Sequence, residues 1–302
     1  MAARPPAIPE RALKALRRLE WRMRGRRVET TLTGDHRSVF RGRGMEFDQV
    51  VRFEFGDDIR DVDWNVTARL GDVYRKMFVE DREVSVVVVF ADHPALQFGS
   101  GTRTKRDLLL ELAALVMLFG ALNRERVMLI HQTPGGTHAY PLARGRDRIL
   151  AIVGALFASA APDPLGVDRL PLPLVRHDIP RGAMVVWIGE VPDDPPPIEW
   201  RAWTRHHQVL GARAEDEWER DGPAAGPFTA YDPVAGRVVR LRGDAEARAR
   251  HAAWRDQREA RWRAWWSDPA DRLTIGPEQD VLEALSLFLR NREKSGPTRS
   301  YR

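Results

Sequence analysis

The sequence predicts an α/β fold built on a doubly wound, mostly parallel sheet. Residues 83–92, EVSVVVVFAD, form an uninterrupted β-branched apolar run, which is typical of a strand covered on both faces. Residues 108–122, LLLELAALVMLFGAL, predict a buried helix soon after that strand. Strand and helix segments continue to alternate along the chain, and this alternation indicates helices packed on both faces of one sheet.

The later elements follow from the same patterns. They are strands at 126–132, 182–190 and 206–213, a helix at 144–160, a hairpin at 226–244, a strand at 271–276 and a closing helix at 277–291. Asp244 is expected to cap a long helix that runs to about Trp266, because aspartate is a preferred residue at helix N-termini. Thr102 or Thr104 is expected to cap the buried helix in the same way.

The chain divides into three predicted regions. Residues 1–80 form an N-terminal arm with a basic amphipathic helix at 9–24 and short strands within 28–80. Residues 81–292 form the main α/β domain, and residues 293–302 form a flexible polar tail.

Composition limits the classes of protein that fit. The 302 residues include no cysteine, which excludes disulfides, thiolate metal sites and a cysteine nucleophile. The start of the chain contains no continuous apolar segment of the kind found in secretory signals. The apolar run at 108–122 is shorter than a membrane span and contains Glu111. We therefore expect a cytoplasmic protein without an integral membrane segment.

The segment RFEFGDDIRDVDWNVTAR, residues 52–69, carries four aspartates and three arginines around one tryptophan. A calcium loop beginning at Asp61 would need glycine and glutamate where Val66 and Asp72 stand. General acid catalysis is disfavoured because nearby arginines lower the pKa of a carboxyl group. An ion-paired structural clamp and a partner-docking surface remain, and the two are compatible. Their candidate residues are Arg52, Asp57, Asp58, Arg60, Asp63, Trp64 and Arg69. Trp64 is expected to anchor the turn by burial.

Residues 42–83 carry the specific pattern of a known family. The pattern consists of Gly42, Gly44, Glu46, Phe47, Arg52, Gly56, Asp57, Asp58, Arg60, Asp63, Trp64, Ala68 and Arg69. A strand that ends in Asp92, followed by a Phe-Gly turn and a lysine that opens an apolar helix, resembles a von Willebrand factor A-type domain. Together these features are similar to the bacterial DUF58 family, whose members are typically encoded beside MoxR-type AAA+ ATPases. The resemblance covers roughly residues 30–290.

The resemblance implies a metal-ion-dependent adhesion site at the end of the sheet. Such a site uses aspartate and hydroxyl oxygens, which are the ligands that Mg²⁺ prefers. This sequence keeps Asp92 but places Pro94 and Leu96 where the two serines are expected, and it offers Gly189 or Glu190 for the later aspartate. Asp92 and Glu190 are therefore the candidate ligands of a degenerate site, and because the sequence departs from the family pattern we expect no bound cofactor.

Residues 251–266, HAAWRDQREARWRAWW, interleave tryptophan with arginine. Trp254, Arg258, Arg261 and Trp265 share one face of the predicted helix, which suits either packing of arginine stems against rings or stacking of single-stranded nucleic acid. Packing is the preferred interpretation, so nucleic acid is not an expected partner.

The sequence contains no recognisable nucleophile–base set, phosphate loop or intact metal site, so we expect a protein that is not an enzyme. The resemblance implies an adaptor that works with a MoxR-type AAA+ ATPase in the chaperone-like maturation of a client complex. The chain also looks similar to the accessory proteins encoded in methanol-oxidation gene clusters, and that resemblance implies methanol dehydrogenase as the client. The alternatives are a divalent-metal-dependent ligand-binding domain and a single-stranded nucleic-acid binder.

Overall fold

A computed structural model describes residues 45–54, 57–80, 85–163, 170, 179–222, 226–232 and 237–294. The predicted helix at 9–24, the part of the arm before residue 45 and residues 295–302 of the predicted tail lie outside these residues. The chain separates into two compact units, one of residues 33–83 and one of residues 1–32 with 84–302.

The smaller unit is organised by an antiparallel pair of strands. These are β1 (Met45–Arg52) and β2 (Tyr74–Glu80), which pair from Met45 opposite Glu80 to Arg52 opposite Tyr74. Between them the chain forms a 3-10 turn (Ile59–Asp61) and helix α1 (Trp64–Leu70). Helix α1 ends at Gly71, whose φ of 82° is a left-handed conformation that favours glycine. Both strands lie within residues 28–80, where short strands are predicted.

The larger unit contains a six-stranded sheet in the order β10-β7-β6-β3-β4-β5. Its strands are β3 (Ser85–Ala91), β4 (Arg126–Thr133), β5 (Gly136–Ala143), β6 (Met184–Gly189), β7 (Gln208–Ala214) and β10 (Arg272–Ile275). All adjacent pairs are parallel except β4 with β5. The mostly parallel α/β sheet is therefore confirmed.

Helices cover both faces of this sheet. They are α2 (Lys105–Leu122), α3 (Arg146–Ala158), α4 (Ile198–His206), α5 (Glu217–Asp221), α6 (Ala245–Trp265) and α7 (Val281–Lys294). On β3, Val86, Val88 and Phe90 face the core formed by α2, α3 and α7. Val87 and Val89 face the opposite core, which contains tryptophans of α4 and α6. The prediction that this strand is buried on both faces is confirmed.

A separate two-stranded sheet is formed by β8 (Gly226–Asp232) and β9 (Arg237–Gly243), which confirms the predicted hairpin. Asp244 caps α6 by accepting a hydrogen bond from the backbone N–H of Ala247 at 2.8 Å, as predicted. Thr104 and Asp107 form a reciprocal capping box that begins α2. None of the helices that the structure describes combines the length and apolar character needed to cross a membrane.

Two elements differ from the prediction. No element is predicted between the strand at 126–132 and the helix at 144–160, but the chain forms the antiparallel edge strand β5 there. Pro141 and two glycines hide this strand in the sequence, and an edge position tolerates proline because one side of the strand needs no partner. Helix α4 was also missed, because it is short and follows three prolines. It is fixed by Trp200, whose indole donates to the carbonyl of Trp265 at 2.9 Å.

Gly211 provides a test of the packing between the sheet and α6. A Cβ atom at this position would lie 2.5 Å from a ring carbon of Trp266 and 2.7 Å from Trp262. We predict that Gly211→Ala lowers the free energy of unfolding by about 1–3 kcal/mol, because the buried rings have no room to move. Chemical denaturation measures the change. The control Gly101→Ala, where a Cβ meets nothing within 4 Å, should change stability much less; equal effects would contradict this packing.

Candidate functional site

The candidate site lies at the carboxyl ends of β3 and β6. The chain leaves β3 towards β4 on one side, whereas β6 pairs with β3 on the other side, so the strand order reverses at this point. Ligands of open α/β sheets bind at such switch points. Asp92 directly follows β3, and Glu190 directly follows β6. The structure therefore brings the two predicted ligand positions to adjacent strand ends.

Asp92 is completely buried and is neutralised by protein groups. Arg106 donates two hydrogen bonds to its carboxylate, at 2.9 and 2.8 Å, in a bidentate arrangement. Nε2 of His131 lies 3.0 Å from the same carboxylate. The Nη2 group of Arg106 also donates to the carbonyl and hydroxyl oxygens of Ser159, each at 3.2 Å, which links Asp92 to the end of α3.

Glu190 belongs to a second buried group, which we call the Lys105 cluster: Lys105, Glu190, Glu219 and Arg258. Nζ of Lys105 lies 2.8 Å from Glu190 and 2.7 Å from Glu219. Arg258 donates to the other oxygen of Glu190 at 2.9 and 2.7 Å. Two cations thus balance two carboxylates where burial would make an unpaired charge costly.

The Lys105 cluster continues into the loop that precedes α2. Glu219 accepts a hydrogen bond from the backbone N–H of Asp216 at 3.1 Å, in a capping box that begins α5. Asp216 in turn accepts from the backbone N–H of Ser100 at 2.9 Å and from its hydroxyl at 2.6 Å. These bonds tie the loop after β3 to the helix after β7.

The sequence places these cations through ordinary helix geometry. The capping box at Thr104 fixes the start of α2, so Lys105 and Arg106 occupy its first two positions. Adjacent helical residues point about 100° apart, since the helix has 3.6 residues per turn. One residue therefore reaches Glu190 while the next reaches Asp92.

The residues at this edge do not fit a divalent metal. Pro94 and Leu96 are buried in a 3-10 turn and offer no side-chain oxygen. Gly189 cannot be replaced by aspartate without movement, because a Cβ there would lie 2.5 Å from the carbonyl oxygen of Ala91. Asp92 and Glu190 are already paired with protein cations. In the described ranges, no group of three His, Asp or Glu side chains is arranged to hold an ion.

The protonation of these carboxyl groups also disfavours acid catalysis. Burial by itself raises the pKa of Glu190, but Lys105 and Arg258 outweigh burial and hold that pKa well below its usual value of 4.5. Burial likewise opposes ionisation of Asp92, yet hydrogen bonds with His131 and Arg106 lower its pKa. Both groups are ionised at neutral pH and cannot donate a proton there. This edge therefore acts as a charged scaffold.

In the smaller unit, the aspartates of the signature stabilise turns. Asp58 accepts from the backbone N–H of Arg60 at 2.9 Å, and Asp63 caps α1 by accepting from the backbone N–H of Asn65 at 3.0 Å. Asp57 and Asp63 also approach cations of β2: Arg75 lies 2.7 Å from Asp57, and Lys76 lies 3.7 Å from Asp63. Arg52 pairs with Asp72 at the surface, and Arg60 and Arg69 are exposed as well.

The expectation that Trp64 is buried is wrong, since 66% of this residue is exposed. Trp64 occupies the first position of α1, and the Asp63 cap stabilises the start of this helix. The turn therefore does not depend on burial of the Trp64 side chain. Val62, which is buried, anchors the turn instead. Other large apolar side chains nearby are also exposed. We call these the 59–73 apolar set: Ile59, Trp64, Leu70 and Val73.

The tryptophan–arginine face of α6 is divided between two roles. Trp265 is buried in the core, and Arg258 is buried in the Lys105 cluster. Arg258 also lies 5.5 Å from the ring centroid of Trp254, and Arg261 pairs with Asp193. Packing between arginine stems and rings, the preferred interpretation, describes Arg258 and Trp254. Trp265 and Arg258 are not available to stack or contact nucleic acid.

Several residues of the edge escaped the sequence analysis. Lys105 is predicted only as the lysine that opens the apolar helix, and no role is predicted for Arg106, His131 or Glu219. Their partners are distant in sequence: 85 positions separate Lys105 from Glu190, and 114 separate Lys105 from Glu219. One signal was available in the sequence: Lys105 and Arg106 begin the helix that follows the strand before Asp92, so cations could be expected near that carboxylate.

Comparison with known proteins identifies relatives without assigning a role. Residues 49–261 match the family described as "Protein of unknown function DUF58". Uncharacterized proteins of Mycobacterium tuberculosis and Mycobacterium bovis are 29% identical over 254 residues, which cover 79% of this chain and 78% of theirs. A search of solved structures finds no match.

The low pKa of Glu190 predicts a defined response to pH. A carboxyl group whose pKa is lower in the folded state adds stability that is complete above its unfolded pKa and is lost as the pH falls through the folded pKa. We therefore expect Glu190→Gln to destabilise the protein at pH 7 and the difference from wild type to shrink below about pH 4.5. Denaturation curves across pH measure this difference. The exposed control Glu278→Gln should show almost no difference, and a gap for Glu190→Gln that widens in acid would contradict the ion pairing.

Because Asp92 and Glu190 are paired with protein cations, we predict that divalent ions do not change the stability of the protein. We expect the melting temperature to be the same in EDTA and in about 10 mM Mg²⁺ or Mn²⁺, because an ion that binds the folded state would raise it. Asp92→Ala should lower the melting temperature equally under both conditions. A metal-dependent rise that Asp92→Ala abolishes would show that this edge binds an ion after all.

Proposed function

Because this chain belongs to the DUF58 family, we propose that it is a non-catalytic adaptor that works with a MoxR-type AAA+ ATPase. The partner comes from the resemblance described above. The observation that carries a docking role is the exposure of the 59–73 apolar set within the family's signature segment.

The signature segment concentrates exposed apolar surface. Four of the twelve large apolar residues that the structure shows as exposed lie between Ile59 and Val73. Ile59 and Trp64 are exposed by 68% and 66%. Concentrated apolar exposure is typical of a surface that binds another protein, and tryptophan is among the residues that contribute most to such binding. The set therefore supports a contact with a protein partner.

The charged residues of the same segment support a preformed docking surface. Asp58 and Asp63 cap the two short helical turns, and Asp57 pairs with Arg75. These local bonds fix the backbone around Trp64 before any partner arrives. A surface held in its binding conformation loses less conformational entropy on association. The structural clamp and the docking surface are thus two consequences of one arrangement.

The client of the adaptor is proposed from resemblance. The similarity to accessory proteins of methanol oxidation favours methanol dehydrogenase, whose maturation would require an ATPase and a bridging protein. The carboxylates of Asp92 and Glu190 at the edge of the sheet are held in internal ion pairs and do not themselves offer a surface for the client. A metal-dependent ligand-binding role is less well supported, because both carboxylates are paired with arginine or lysine.

An affinity experiment with Trp64→Ala tests the adaptor proposal. Tagged protein is recovered from the native lysate with ATP and Mg²⁺ present, and co-purifying proteins are identified by mass spectrometry. We expect an AAA+ ATPase with the wild type and at least about a tenfold loss with Trp64→Ala, since removal of a central tryptophan typically costs 2 kcal/mol or more. Melting should remain unchanged, because the side chain is exposed.

Ile198→Ser is the matched control for this experiment. Ile198 is 84% exposed on α4 and lies outside the signature, so its removal should leave ATPase recovery unchanged. Recovery of the protein without an ATPase, or equal recovery with Trp64→Ala, would contradict the proposal.

A further inference from the structure

Within the described part of the chain, the outer edges of the hairpin β8–β9 have no partner strand. The hairpin forms a two-stranded sheet of its own, and no other described strand pairs with either side of it. A two-stranded sheet is marginally stable by itself, and an unpaired strand edge presents a row of free N–H and C=O groups. The hairpin is therefore suited to accept a further strand.

One face of the hairpin is anchored on an aromatic row. Phe228 pairs with Leu241 across the two strands and lies 6.3 Å from Trp218, measured between ring centroids. Trp218 also contacts Phe98 at 5.8 Å and His251 at 5.3 Å. Phe98 and Trp218 remain more than one third exposed, as does Leu241 on β9. This face fixes the hairpin and still offers apolar surface beside β9.

The other face of β9 is basic. Side chains alternate between the two faces of a strand, so Val238, Arg240 and Arg242 lie together opposite to Leu241. All three are exposed, and Val238 is exposed by 67%. The two hairpin strands contain three arginines and a single acid, Asp232.

Charges on edge strands often serve only to prevent aggregation. Here that explanation is incomplete, because aliphatic side chains are exposed on both faces of β9 together with the arginines. Val238 and Leu241 increase the tendency of the edge to pair. The combination suits selective pairing better than protection.

We infer that the outer edge of β9 binds an extended, alternately acidic and apolar segment of a partner protein by strand addition. Main-chain hydrogen bonds to the free edge would supply affinity, and alternate side chains would supply specificity. Acidic side chains of the segment would lie on the face of Arg240 and Arg242, while its apolar side chains would lie on the face of Leu241 beside the aromatic row.

Other occupants fit the surface less well. A second copy of the chain would bring the same arginines together, and like charges across a strand pair are destabilising. Single-stranded nucleic acid stacks on open ring faces, but neighbouring rings of the aromatic row pack against one another at interplanar angles of 57–80°. An acidic peptide satisfies both faces of β9.

The biological purpose of this binding rests on the proposed adaptor role. The binding itself does not, because it can be measured with purified protein. The probe is a fluorescein-labelled peptide in which Glu alternates with Val, followed by fluorescence anisotropy. The comparison probes are a peptide of the same composition with its Glu residues in one block, a version with Lys in place of Glu, and a thymidine oligonucleotide.

We expect the alternating Glu peptide to bind wild type more tightly than the block peptide. The double variant Arg240→Glu/Arg242→Glu should bind the Glu peptide at least about tenfold more weakly and should gain affinity for the Lys peptide. The control Arg201→Glu/Arg205→Glu changes net charge equally on exposed positions of α4 and should bind like wild type.

Equal binding of the alternating and block peptides would overturn strand addition. Unchanged binding by the double variant, or binding of the oligonucleotide alone, would overturn the proposed surface. Either failure is independent of ATPase recovery through Trp64, so it leaves the adaptor proposal standing. Conversely, loss of the ATPase contact would not affect peptide binding to β9.

Discussion

Neutralisation of buried carboxylates by lysine and arginine is the constraint on which the carboxyl edge of the sheet depends. Glu190 and Glu219 lie among apolar strands and helices, where an unpaired charge would cost several kcal/mol. Lys105, at the start of α2, forms ion pairs with both groups, and Arg258, in α6, forms an ion pair with Glu190. Four elements thus meet at one cluster, and removal of either cation would leave a buried carboxylate partly uncompensated.

Because of this pairing, the sheet edge does not have the metal-binding chemistry that the family resemblance implies. An edge that would otherwise offer carboxylates to a metal uses them for internal bonds, so Asp92 and Glu190 support structure. The surfaces that remain available are elsewhere: the 59–73 apolar set in the smaller unit and the free edge of β9 in the larger one. Both are suited to protein contacts, which the proposed adaptor role requires.

The sequence was most informative where a pattern is local. The β-branched run of β3, the Thr104 and Asp244 caps and the hairpin are all set by neighbouring residues, and all are confirmed. The ion pairs could not be predicted, because their partners meet only after the sheet has formed. The prediction for Trp64 was wrong because a tryptophan surrounded by charged residues was taken to anchor the turn by burial. The turn is instead stabilised by local aspartate caps. The roles of the clamp residues remain predictions.

A double-mutant cycle between Lys105 and Glu190 tests the central claim most directly. The free energy of unfolding is measured in EDTA for wild type, Lys105→Met, Glu190→Gln and the double variant. The account predicts a coupling energy of about 1–3 kcal/mol, because the two groups share one buried contact. A coupling near zero in EDTA that appears only after addition of a divalent ion would contradict it, and would return the edge of the sheet to the role of a metal site.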